Sequence, residues 1–153
     1  MSLLGLFKRS KGAPAEQSPF HGPIDPNWER GPDGRYRKLA LIDTDSAALK
    51  VGGVYVIWHG GVRPEWVWVG VSSDVGEALE RCLRDKEISE YSVHGGLYAT
   101  WSTVLEPYRN GVAKYLVETM EPRVENPNLD LSDAVSSIEV LFPGAKKSDP
   151  DAV

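Results

Sequence analysis

Two apolar runs rich in β-branched and aromatic residues stand close together in the middle of the chain, Val54-Tyr55-Val56-Ile57-Trp58 and Trp66-Val67-Trp68-Val69. Such side chains suit a pleated, half-buried surface, so each run predicts a strand. Between them, His59-Gly60-Gly61-Val62-Arg63-Pro64 combines two glycines with a proline and predicts the turn of a β-hairpin. With residues 60–63 as the loop, His59 faces Pro64 and Tyr55 faces Trp68, which puts both rings on one face within cross-strand reach. Apolar residues on both faces place the hairpin inside a sheet, and alternation sends Trp58 away from Tyr55.

Downstream the period changes. Val75, Leu79, Cys82 and Leu83, with Ala78 at the edge, recur at helical spacing over Val75–Asp85. Ser73 or Asp74 caps this helix, with Glu77 three residues after Asp74 as in a capping box. Lys86–Gly96 is polar, ends in Gly95-Gly96 and reads as a loop; Leu97–Val104 reads as a third strand. Pro107–Asn110 reads as a break before a second helix over Gly111–Glu121, with Val112, Tyr115, Leu116 and Thr119 on one face. Pro122 stops that helix, because the residue before a proline is pushed out of the helical region. Ser137–Pro143 predicts a fourth strand at a sheet edge, ended by proline. Before the hairpin, Leu39–Ile42 predicts a short strand or lead-in, and Asp43, Asp45 and Ser46 supply turn or cap chemistry.

The expected fold is therefore α+β: a small, mostly antiparallel sheet of three to four strands with two main helices. Its expected limits are residues 36–143. Residues 12–35 hold five prolines and four glycines, so residues 1–35 form a flexible arm, in which Trp28 is an anchor onto the domain. Residues 144–153 form a polar tail. Within the arm, Met1–Lys11 sets Leu3, Leu4, Leu6 and Phe7 beside Lys8, Arg9 and Lys11. That pairing suits weak docking on an anionic membrane surface or a partner, and equally suits a terminus folded onto the domain.

Composition narrows the function classes. A length of 153 residues allows one domain with a real core. The single cysteine, Cys82, excludes an intramolecular disulfide and offers no metal-ligand spacing, which suits a reducing cytoplasm. The net charge of −5 counts against a nucleic-acid partner, since phosphate binding relies on a basic face. The three histidines, His21, His59 and His94, are scattered. The glycine pairs open no phosphate-binding helix.

Gly53-Val54-Tyr55 and Trp68-Val69-Gly70 carry one more observation. Two such triplets on adjacent strands, then a helix, a third strand and a second helix bearing Glu118, resemble the GIY-YIG nuclease superfamily over residues 50–130. The resemblance implies a divalent cation, Mg²⁺ or Mn²⁺, held by the one glutamate, Glu118. It implies tyrosines near the attacking water and an arginine on the first helix, with an asparagine farther on that Asn126 matches. Tyr55 matches the first tyrosine. Trp68 replaces the second, and an indole has a donor but no acceptor with which to align a water. Ala78 stands where the arginine is expected; Arg81, about one turn further along the helix, is the nearest substitute. Each residue also has an ordinary reading: Tyr55 as a strand tyrosine, Trp68 as packing, Arg81 paired with Glu77 or Asp85, Glu118 solvated beside Lys114.

With two of four expected positions altered, the chain resembles a degenerate member of that superfamily. The first expectation is a non-catalytic cytosolic module that binds a protein or small ligand, with Tyr55, Trp68, His59 and Asn126 as binding residues and no cofactor. The second is a Mg²⁺- or Mn²⁺-dependent endonuclease using Tyr55, Arg81 and Glu118. The third is a spacer whose N-terminal peptide docks elsewhere, including peripherally on a membrane.

Overall fold

The computed structural model describes residues 22–145. The Met1–Lys11 cluster, the rest of the arm up to residue 21 and the tail from residue 146 lie outside the described residues. Strands β1 (Arg37–Lys38), β2 (Gly53–His59), β3 (Trp66–Ser72) and β4 (Leu97–Thr103) form one sheet in the order β1-β4-β2-β3. Every pairing is antiparallel. The helices are α1 (Val75–Arg84), the short α2 (Lys86–Glu90) and α3 (Glu106–Met120). This is the α+β fold expected, with α1 and α3 as the two main helices. Among the described residues, no helix is long and apolar enough to cross a membrane.

Strand alternation gives the sheet two buried faces and hence two cores. Tyr55, Ile57, Ala99 and Trp101 pack on the first face with Val75, Ala78, Leu79 and Cys82 of α1 and Ile88 of α2. Val54, Val56 and Val69 pack on the second with Val112, Ala113, Leu116 and Met120 of α3. Ile24 and Trp28 join the second core, so residues 22–35 are not only a linker. Their carbonyls satisfy polar side chains that β4 turns to this face: Ser102 Oγ donates to Pro26 O at 2.6 Å and Thr100 Oγ1 to Glu29 O at 2.7 Å. Trp28 anchors as expected, its indole N–H donating to Leu141 O at 2.7 Å.

The hairpin register differs from expectation. Tyr55 lies opposite Gly70, and Ile57 lies opposite Trp68. The turn is wider than four residues, since His59 N–H donates to Glu65 O at 3.1 Å. A register shift between Ile57 and Trp58 adds a residue to β3, so that Val67 and Trp68 both reach the first core. The net slip is two residues, which preserves the face: Tyr55 and Trp68 meet diagonally rather than directly.

Four other expectations are corrected. Lys86–Gly96 is not all loop, because Asp85 accepts from Ile88 N–H at 3.0 Å and starts α2. The second helix begins at Glu106, with Pro107 in its first turn, where a missing N–H costs nothing. Residues 39–41 form a 3₁₀ turn rather than a strand. Residues 137–143 add no strand: they make a single parallel bridge, Ile24 to Val140, and the fourth strand is β1. Of the face expected for α1, Leu83 is exposed while the remainder is buried. On α3 the buried face runs through Gly111, Val112, Ala113, Leu116 and Met120.

Candidate functional site

Tyr55 stands in the middle of the sheet on the first face and is 5 % exposed. Its hydroxyl accepts the indole N–H of Trp68 at 3.2 Å. The ring lies over Gly70, where a Cβ would fall 2.1 Å from Tyr55 Cζ, so glycine is required beneath it. Burial raises the phenol well above its ordinary range, with the neighbouring Cys82 adding to the rise. The Cys82 thiol is likewise pushed up to about 11, chiefly by burial. Both groups are therefore held neutral at physiological pH, and the hydroxyl accepts one hydrogen bond from an indole. Arg81 is 64 % exposed with its guanidinium 3.9 Å from Glu77.

Glu118 lies elsewhere. Helix α3 packs on the second face through Val112, Leu116 and Met120, and Glu118 points outward from it, 54 % exposed. Tyr55 and Glu118 thus occupy opposite faces of the sheet. Lys114 Nζ lies 4.0 Å from the Glu118 carboxylate, and that ammonium also donates to Ser132 O and Val135 O at 2.9 Å. A lone, exposed carboxylate beside a fixed ammonium fits a divalent cation poorly, since the ammonium repels it. Among the described residues, no three His, Cys, Asp or Glu side chains come together as a metal site. Asn126 clips the segment after α3 to the free side of β3, its amide donating to Val69 O at 3.1 Å. Backbone bonds from Arg123 to Trp66 O and from Val124 to Val67 O continue along that edge.

The hairpin end of the sheet gathers a different group. His59 is buried, 3 % exposed. Its Nδ1 accepts Gly61 N–H at 3.3 Å, which assigns the ring proton to Nε2, and Nε2 faces Glu65 Oε1 at 3.1 Å. This hydrogen bond, followed by the charge of Arg123, holds the Glu65 carboxyl below the usual range; Arg123 Nε is 3.4 Å from Oε2. The His59 ring lies parallel to Tyr91 at 6.2 Å, with His94 at 5.1 Å. Two glycine pairs pack backbone to backbone here: a Cβ on Gly95, which has φ +88°, would meet Gly60 O at 2.7 Å. The result is an open cleft of about 660 Å³ lined by His59, Arg63, Glu65 and His94 and walled by the glycines. Glu65 also borders a second, aromatic groove on its other side.

Of the residues singled out in the sequence, the structure unites Tyr55 with Trp68 and places Arg81 on the helix over the same core. It sets His59 at the hairpin end, Asn126 at the β3 edge and Glu118 on the far side of the sheet. Glu65 is not among them, because a four-residue loop sets Pro64 across from His59; the wider turn puts Glu65 there instead. Comparison with protein families, with curated proteins and with solved structures finds no match to this chain.

Proposed function

We propose that this chain is a GIY-YIG-like module that binds a partner, protein or small molecule, and does not cut nucleic acid. The observation that carries the reading is the placement of Tyr55 and Glu118 on opposite faces of the sheet. Metal-assisted phosphodiester cleavage needs the carboxylate-held cation and the group that aligns the water to converge on one phosphate. Here one sits inside the first core and the other in solvent beyond the second. Burial of Tyr55, which is 5 % exposed, adds support, because a buried hydroxyl already bonded to the Trp68 indole is poorly placed to orient a water on an external phosphate. Charge agrees: residues 22–145 carry 12 Lys or Arg against 19 Asp or Glu, a net of −7, and such a field opposes a polyanion.

The test is direct. Purified protein is incubated with labelled single- and double-stranded DNA and RNA in Mg²⁺, Mn²⁺ or chelator, beside Glu118→Ala. The expected result is intact substrate under every condition. Cleavage that needs both the cation and Glu118 would overturn the reading and make Arg81 the next residue to mutate.

A further inference from the structure

On the second face, at the hairpin end, three aromatic rings close a corner. Tyr36 meets Trp58 edge-on, with centroids 5.2 Å apart at 90°. Trp58 meets Trp66 at 5.7 Å and 66°. With Pro64, Pro143 and Gly144 they line an open groove of about 320 Å³, and Glu65 is the one carboxylate on its wall. That carboxylate is ionised at neutral pH, held so first by the His59 hydrogen bond.

Ring faces carry negative potential and attract a cation, most of all one that gives up water easily. A metal ion or a bare ammonium is strongly hydrated and loses too much on entering an apolar corner. A trimethylammonium group spreads its charge over methyl surfaces that pack against indole. The molecule already uses this chemistry on itself: the Arg30 guanidinium lies 4.5 Å from the Tyr36 ring centroid. Arg30 and Arg123 oppose an incoming cation locally, while Glu65 and the net charge of the described residues favour it.

We propose that this groove binds the trimethylammonium group of a small ligand of about choline's size, seated against Tyr36, Trp58 and Trp66 with Glu65 as counter-ion. The inference rests on the binding-module reading and names the ligand chemistry. The experiment follows the indole N–H resonances of the full-length protein by NMR during titration with choline. A parallel titration uses 3,3-dimethylbutan-1-ol, which has the same shape without the charge, and a third uses a short peptide bearing trimethyl-lysine. Saturable shifts of the Trp58 and Trp66 resonances are expected with choline, and binding of the neutral alcohol weaker by on the order of tenfold. Glu65→Gln should weaken choline severalfold and leave the alcohol unchanged, so the ratio remains informative even if the variant is less stable.

Equal binding of choline and the alcohol would reduce the groove to an apolar surface and overturn the proposal, as would absence of saturation. Binding of the peptide alone would overturn the small-ligand assignment. None of these results bears on cleavage, so failure of the groove and failure of the module reading are told apart by the nuclease assay.

Discussion

At Gly70 a single methyl group has nowhere to go. A Cβ there would stand 2.1 Å from Cζ, 2.3 Å from the hydroxyl and 2.5 Å from Cε1 of Tyr55, whose ring is itself fixed by Trp68 and the α1 core. In Gly70→Ala the ring must leave its position, giving up the indole hydrogen bond and disturbing close packing. We expect a loss of about 1–3 kcal/mol in urea unfolding, with a shift of the Trp68 indole resonance. An unchanged midpoint would mean that the ring is free to swing, contrary to the packing described. The same core makes stability sensitive to alkali. The thiol of Cys82 rises from 9.0 to about 11 in the folded chain. Between those values the unfolded chain has released its proton and the folded chain has not, so stability is intact below pH 9 and falls as pH rises. Two pH units correspond to roughly 2–3 kcal/mol for one group, and Tyr55, raised by burial, extends the loss from pH 10 upward. Stability measured from pH 8 to 11 should show this decline, and Cys82→Ala should remove its first part. A pH slope identical in the variant would assign the decline to other groups.

Elements whose signals are local were legible in the sequence. Asp74 caps α1 by accepting Glu77 N–H at 3.1 Å, as its spacing implies, and α3 ends at Met120, two residues before Pro122. Roles that depend on distant partners leave no such local signal. Pro107 resembles a break until one sees that a helix can begin around it. β1 is only two residues long and exists because β4 offers it an edge. Ser137–Phe142 has strand composition, yet meets an extended segment, residues 22–30, more than a hundred positions away, and forms one bridge. Asp85 ends α1 and starts α2 at once, a dual use that the polar run after it conceals. The register error has a similar origin, since nothing local in Trp66-Val67-Trp68 marks a bulge. For the site, alternation correctly separated Trp58 from Tyr55. It could not bring Tyr36 and Trp66 to Trp58, or Glu65 to His59, without the true register and the position of β1.

The described chain is closed at its two ends, and that closure is the property of the whole molecule most exposed to test. Residues 24–30 lie over the second face of the sheet: Ile24 exchanges backbone bonds with residues 139 and 141, and Glu29 N–H donates to Trp101 O at 3.0 Å. Trp28 is 8 % exposed and is bonded through its indole to Leu141. Removing that side chain opens a large cavity in the second core and takes the indole donor from Leu141 O. Trp28→Ala should therefore cost about 3–5 kcal/mol, enough to consume much of the stability of a domain this size. A chain beginning at Gly22 keeps every contact named above and is the reference for the comparison. A chain beginning at Gly31 takes Ile24 and Trp28 out of the second core, removes the bridge to Val140 and leaves Ser102 and Thr100 without their carbonyl acceptors, so it should fail to unfold cooperatively. If the shorter chain instead unfolds as sharply as the longer one, residues 22–30 decorate the domain rather than complete its core.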